Sequence, residues 1–290
     1  MKRRLLLFTQ GFAGELLCNA LKERGITPVI YTYALNATRR ISDQAYLREG
    51  YPYKYIHERS FDSSKVNVRS GDLIICAEWT KDFFHNTDPG APVYHLHFSL
   101  LPRYRGYGAV SEQFLRGVSL AGVTLYRENG HIDAGPVAYQ CEIRIEHDHT
   151  TEEYIRACVK EAQVWISELA DGAEPELKAQ DETDGFYVQR RRRHTGMLDL
   201  NACALYVYNT VRAYSKPYFG SYFYHNGKKI TVWNAKCDKW AGMQGRPGEI
   251  LGQTHHGVEI ACGEGSVVLT EAEINGTVYK FDEITNCFNV

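Results

Sequence analysis

Two five-residue runs, Leu73-Ile74-Ile75-Cys76-Ala77 and Val93-Tyr94-His95-Leu96-His97, constrain the fold of this chain more than any other feature. The first has no polar side to turn toward water, which is the habit of a strand covered on both faces in the middle of a parallel sheet. Parallel neighbours need crossover connections, and the flanking sequence supplies them. Arg4 to Phe8 is strand-like, Gly11 and Gly14 permit a tight turn, and Glu15 to Leu21 repeats apolar positions at helical spacing until Gly25. Ile26 to Tyr33 reads as another strand. The succession of strand and helix argues an open, mostly parallel α/β sheet.

The pattern continues and then changes. Val110 to Leu115 is helical, Gly122 to Tyr126 and Val137 to Ile145 are strand-like, and Thr150-Thr151-Glu152-Glu153 opens a helix that reaches about Leu169. A polar stretch from Glu174 to Gly185 leads to four consecutive arginines, Arg190 to Arg193, and helical spacing returns from Leu200 to Tyr214. Beyond Ser221 the chain is short strands and Gly-bearing turns: Ser221 to Tyr224, Ile230 to Ala235, Gly248 to Leu251, Val258 to Cys262 and Ser266 to Glu271. Asn226-Gly227 is a hairpin signal. The expected organisation is a domain over 1–185, a basic linker and helix over 186–215, and a small barrel-like β domain over 216–290.

Composition narrows the partners. With 33 basic and 35 acidic residues, the chain has no bulk field for nucleic acid or an anionic membrane. The opening Met-Lys-Arg-Arg-Leu-Leu-Leu-Phe stops being apolar at Thr9-Gln10-Gly11, too early for a secretory signal, and no run approaches the roughly 18 residues of a membrane span. Eight cysteines stand singly, several of them inside apolar runs, a pattern that suits reduced thiols in a cytoplasm better than disulfides or a zinc cage.

Chemistry concentrates where the second run ends. His95 and His97 are two residues apart on a strand, so their side chains leave the same face. The chain then breaks into Phe98-Ser99-Leu100-Leu101-Pro102-Arg103-Tyr104-Arg105-Gly106, and a strand end with its loop is where α/β proteins carry function. Gly130-His131-Ile132-Asp133-Ala134-Gly135-Pro136 sets one carboxylate among glycines that let backbone approach a ligand. Taken alone, each feature also has a plain structural reading, as hydrogen-bonded histidines or a turn aspartate.

Together they resemble a known family. His-x-Ser-Leu-Leu-Pro-x-Tyr-Arg-Gly over 97–106, Gly-Val-Thr-Leu at 122–125 and Ile-Asp-Ala-Gly at 132–135 are similar to the formyltransferases that use N10-formyltetrahydrofolate. The segment from Val211 to Phe223 and Arg246-Pro247-Gly248-Glu249-Ile250-Leu251 resemble the second half of the longer members. The resemblance implies a Rossmann-like catalytic domain with helices on both faces and a small OB-type C-terminal domain. It implies a formyl-transferring enzyme whose co-substrate is N10-formyltetrahydrofolate and which needs no metal.

The family acts through an Asn, a His and an Asp. His97 and Asp133 match the last two, and His95 occupies the place of the Asn. The resemblance places folate against Trp79, Leu100, Leu101, Pro102, Asn129 and Ile132, with the pterin along Cys76 to Thr80. It places the acceptor near Gln10, Phe12 and Tyr107.

An amide cannot lose its hydrogens, whereas an imidazole can present the wrong tautomer and changes charge near neutrality. His95 therefore leaves three readings open: a working variant with its own pH profile, a changed substrate, or an impaired catalyst. The expected acceptor is a primary amine of a small molecule, best a nucleotide-linked amino sugar, with methionyl-tRNA or an amino-acid-type amine as alternatives. The region from Tyr31 to Asp43 holds only Arg39 and Arg40 as bases, which argues against tRNA, while Arg190 to Arg193 is the one stretch suited to it. A reading from another class is a folate-binding or RNA-associated member with little catalysis. A homodimer is compatible with either.

Overall fold

The computed structural model describes residues 2–33, 51–56, 66–79, 89–189, 193–239, 241–242 and 245–288. Arg39, Arg40, Thr80 and Arg190 to Arg192, all singled out in the sequence, lie outside the described residues. Two compact units emerge: one formed by 1–109, 120–144 and 154–189, the other by 110–119, 145–153 and 190–290.

The first unit is built on a seven-stranded sheet. Its strands are β1 (Leu5–Thr9), β2 (Val29–Tyr33), β3 (Tyr53–Ile56), β4 (Leu73–Ala77), β5 (Val93–His97), β6 (Leu120–Arg127) and β7 (Val137–Arg144), in spatial order β3-β2-β1-β4-β5-β6-β7. The first five pair in parallel and the last two are antiparallel, so the expected mostly parallel sheet is observed. Every residue of β1 and β4 is buried, as their unbroken apolar runs require. Leu6, Phe8, Ile74, Cys76 and Trp79 share one core cluster, with Phe8 stacked on Tyr31 at 4.6 Å.

Helix α1 (Phe12–Glu23) begins directly after β1, three residues before its apolar spacing becomes legible. A Cβ on Gly14 would stand 1.9 Å from Thr9 Oγ1, so only glycine lets the helix start this close to the strand. Gly11 caps no backbone group through a side chain; instead Glu78, at the end of β4, offers Oε2 to the Ala13 amide at 2.9 Å. A carboxylate at a helix N-terminus is favoured by the exposed N–H groups and the helix dipole. Strand β2 begins at Val29, later than Ile26, because the Ile26 amide closes the helix end on Leu21 and Pro28 has no N–H to give.

Helices α2 (Ala109–Leu115) and α3 (Thr151–Ala170) match their sequence patterns. Thr150 and Glu153 bond each other at the start of α3, with the Thr150 amide and hydroxyl both on Glu153 Oε2. No helix among the described residues is long and apolar enough to cross a membrane.

The second unit carries α4 (Ala204–Tyr214) and a six-stranded antiparallel sheet. Its strands are β8 (Ser221–His225), β9 (Lys228–Lys239), β10 (Ile250–Thr254), β11 (Gly257–Ala261), β12 (Ser266–Ile274) and β13 (Thr277–Lys280). They run in the order β10-β11-β12-β9-β8, with β13 also on β12. Register shifts bend the long β9–β12 pair, and Val207, Tyr208 and Val211 of α4 fill the core with Ile230, Val232, Ile260 and Leu269. Helix α4 starts four residues after Leu200 because Asp199 folds a turn through Asn201 and Ala202. All eight cysteines are free thiols, and six of them are buried.

Candidate active site

The centre lies wholly in the first unit, at the carboxyl end of β5. The β5–β6 register sets His95 opposite Tyr126 and His97 opposite Thr124, and β4 sets Cys76 beside His95. Both imidazoles leave one face, as period-two geometry demands. The loop after β5 is fastened from below. Thr124 Oγ1 donates to Ser99 O at 2.7 Å, Gln140 Nε2 donates to Leu101 O at 3.0 Å, and the Tyr154 hydroxyl bonds both Phe98 O and Gly122 O. A Cβ on Gly122 would meet Leu100 Cδ2 at 2.3 Å, so the glycine of Gly-Val-Thr-Leu keeps room for this loop. The Leu101–Pro102 peptide is cis.

His97 is buried and engaged on both sides. Nε2 lies 2.9 Å from the Tyr104 carbonyl, and Nδ1 lies 3.5 Å from Asp133 Oδ2. A carbonyl only accepts, so Nε2 carries the proton and Nδ1 is the nitrogen left to take one. Asp133 sits at φ 52° in the turn between His131 and Ala134. Its carboxylate already accepts two short bonds: the Gly106 amide at 2.6 Å on Oδ2 and the Tyr126 hydroxyl at 2.8 Å on Oδ1. Gly106 has φ 95° and its absent Cβ would lie 2.5 Å from Val188 O, which explains the glycine that closes the motif.

His95 has a different partner. Its Nε2 lies 2.6 Å from Glu128 Oε2, a close contact whose direction falls short of a well-aligned hydrogen bond, and its ring stacks on Tyr126 at 5.2 Å. Burial raises the Glu128 carboxyl, but the close His95 ring, with the Gly130 and Asn129 amides, outweighs it, so it falls below its ordinary range. Burial, reinforced by Asp133, pushes the Tyr126 phenol far up, so it keeps its proton and donates it to Asp133 Oδ1.

Behind the turn runs a second tier. Arg105, almost fully buried, donates to Gln180 Oε1 and to both Glu182 oxygens. Gln180 Nε2 in turn donates to Asp133 O at 2.9 Å and to Gly135 O at 2.7 Å. The arginine of the Pro-x-Tyr-Arg-Gly loop thus reaches the aspartate turn through one glutamine.

The structure brings His95, His97 and Asp133 together. Leu101 is buried and Leu100 and Pro102 are half-buried in the loop beside them, while Asn129 is exposed and spans its own turn with bonds to Ala134 O and from the His131 amide. Ile132 is half-buried, its carbonyl accepting from Tyr187. Trp79 packs into the core against Phe8 at 5.5 Å. Gln10 is buried and donates to Glu78 O, Phe12 lies under Arg156 at 4.9 Å, and Tyr107 is exposed.

Glu128, Tyr126, Gln180 and Arg105 were not read from sequence as parts of the centre. Tyr126 and Glu128 share a strand face by spacing, but only the β5–β6 register aims them at His95. No cluster of three or more metal-binding side chains occurs among the described residues.

Fold and centre define a class, an α/β domain that carries its candidate site at the end of a parallel strand. The chain belongs to the formyl transferase family: the formyl transferase model matches residues 8–169, and the model of the C-terminal domain of formyl transferases matches 191–288. It is 27% identical over 196 residues to methionyl-tRNA formyltransferase of Wigglesworthia glossinidia brevipalpis, a match covering 67% of this chain and 61% of that protein. Among solved structures it resembles HypX from Aquifex aeolicus in complex with tetrahydrofolic acid, with a TM-score of 0.68 and 17% identity over 97% of this chain and 46% of that one. It also resembles the N-formyltransferase of Helicobacter canadensis in complex with folinic acid and dTDP-3-aminofucose, with a TM-score of 0.64 and 12% identity over 92% and 98% of the two chains.

Proposed function

We propose that this protein transfers a formyl group from N10-formyltetrahydrofolate to a primary amine of a small molecule, a nucleotide-linked amino sugar fitting best. The observation that carries the reading is His97, held by the Tyr104 carbonyl with its Nδ1 turned to Asp133. The side chains present suit such a co-substrate: one basic nitrogen, a second imidazole, and a carboxylate already held by two donors. Leu100, Leu101, Pro102, Asn129 and Ile132 are the residues that would hold the folate.

When bound, the folate supplies the formyl carbon. His97 Nδ1 accepts the proton that the attacking amine must lose, the Asp133 carboxylate steadies the resulting imidazolium, and that proton then passes to the donor nitrogen as its bond to the formyl carbon breaks. His95 donates toward the formyl oxygen as negative charge gathers there. Glu128 and the Tyr126 ring hold His95 in place for that task.

For the acceptor, the start of α1 already holds a carboxylate of the protein itself, since Glu78 is on the Ala13 amide. An anionic acceptor therefore docks elsewhere, and the exposed Tyr107 is the better placed of the sequence-derived acceptor residues. The likeness to a structure holding dTDP-3-aminofucose supports the amino sugar, while the methionyl-tRNA formyltransferase relative supports tRNA as the second reading. The free thiols suit a cytoplasmic enzyme.

The test is incubation with N10-formyltetrahydrofolate and a panel of nucleotide-linked amino sugars, amino acids and methionyl-tRNA, followed by mass spectrometry. A formylated sugar nucleotide supports the reading. No product from any amine, together with salt-sensitive RNA binding, overturns it.

A further inference from the structure

The two imidazoles of the centre have unequal partners. Glu128 lies 2.6 Å from His95, whereas Asp133 lies 3.5 Å from His97 and is already satisfied by Gly106 and Tyr126. A short contact with a carboxylate favours the cationic ring, and a long contact with a carboxylate occupied elsewhere favours it less.

The difference matters because of where the proton sits. With the ring proton kept on Nε2, the nitrogen 2.6 Å from Glu128 Oε2, a neutral His95 presents only a lone pair at Nδ1, which repels a carbonyl oxygen. The cation presents Nδ1–H, a donor stronger than the amide N–H it replaces.

We propose that Glu128 is a positioning residue that holds His95 as an imidazolium, so that His95 serves as the cationic oxyanion donor while His97 stays neutral and serves as the base. Paired groups with opposite protonation states are a recurrent way to divide acid and base work. Among the described residues, the other titratable groups facing His95 are the neutral Tyr126 phenol on β6, the Cys76 thiol on β4, and His97 on its own strand, with Asp133 reached through Tyr126. Among the described residues, Glu128 is the one carboxylate within 4 Å of a His95 ring nitrogen.

This inference rests on the formyl-transfer reading for its consequence and on the ion pair for its substance, so its test has two arms. In ligand-free protein, nitrogen-15 NMR of the imidazoles at neutral pH is expected to show an imidazolium at His95 in the wild type and a neutral ring in Glu128→Gln. A neutral His95 in both proteins overturns the proposal whether or not any amine is formylated.

In the kinetic arm, Glu128→Gln is expected to lower kcat/KM roughly tenfold to a hundredfold, below the 10²–10³ of a lost oxyanion donor. The alkaline limb of its pH profile should move to lower pH. In a His95→Asn background the same change should have almost no effect, because an amide needs no counter-ion. Equal losses in both backgrounds make Glu128 a structural residue only and overturn the proposal. A wild type inactive toward every amine defeats the formyl-transfer reading instead, leaving the NMR arm to judge the ion pair.

Discussion

Tyr126 donates its hydroxyl proton to Asp133 at 2.8 Å while its ring lies flat against His95, so one side chain touches both halves of the centre. It does so from β6, one strand in from the sheet edge, where it is 2% exposed and cannot shift without disturbing that strand. Tyr126→Phe keeps the ring and removes the donor, leaving Asp133 with the Gly106 amide alone. A hydrogen bond to a charged group contributes about 1.5–3 kcal/mol. We expect kcat to fall roughly tenfold to a hundredfold and the melting temperature to drop by a few degrees, measured by steady-state kinetics beside a thermal melt. An unchanged kcat would remove the Tyr126 hydroxyl from the support of Asp133.

His97→Ala takes away the proposed base and leaves Leu100, Leu101 and Ile132, the residues proposed to hold the folate, in place. Loss of a general base costs about 10²–10⁴ in rate. The variant should bind the folate with near wild-type affinity in calorimetry while formyl transfer falls by that factor. Full activity would exclude His97 from the chemistry.

Gln180 is the sole side chain whose amide bonds the carbonyls on both sides of Ala134, those of Asp133 and Gly135, among the described residues. Gln180→Ala frees those carbonyls and leaves Arg105 with Glu182. The Asp133 turn should loosen, lowering kcat more than it raises KM and costing about 1–3 kcal/mol of stability. Denaturant unfolding and kinetics on one preparation separate the two effects. A large KM change with kcat intact would mean that Gln180 serves ligand binding instead.

How far this was legible in sequence varies with the range of the interaction that decides each feature. Strands β4 and β5 are set by their own composition, and their limits agree with the apolar runs to the residue. The start of α1 is not local, since it depends on Thr9 and on Glu78, 65 residues beyond the amide it caps. Strands β3 and β13 escaped notice because Tyr53-Lys54-Tyr55-Ile56 and Thr277-Val278-Tyr279-Lys280 are short edge strands, where polar residues are tolerated. In the centre, His95 and His97 were visible from spacing and Asp133 from its glycines. Glu128 was hidden because its meaning depends on strand register, and Gln180 because it acts on backbone carbonyls, which leave no trace in side-chain patterns.

Asp72 offers a test of the framework beneath the centre. It is buried at the start of β4, where Arg4 of the β1 entry reaches it with Nε at 3.0 Å and a terminal nitrogen at 2.5 Å, and the Arg69 amide adds a third bond at 2.7 Å. Burial pushes its carboxyl up, but the Arg4 and Arg69 bonds more than offset this, so its pKa falls below the ordinary 3.8. A folded-state value below the unfolded one means that stabilisation is complete above 3.8 and fades as pH drops through the lower folded value. Arg4 is one-third exposed, which weakens the ionic part and leaves about 1–3 kcal/mol for the bonds as a set. Asp72→Asn should therefore melt a few degrees lower at neutral pH, about 2–4 °C per kcal/mol for a protein of this size. The two proteins should converge as the acid limb is descended, and a gap that stays constant down to the most acidic folded conditions would show that the loss is one of packing and owes nothing to the charge.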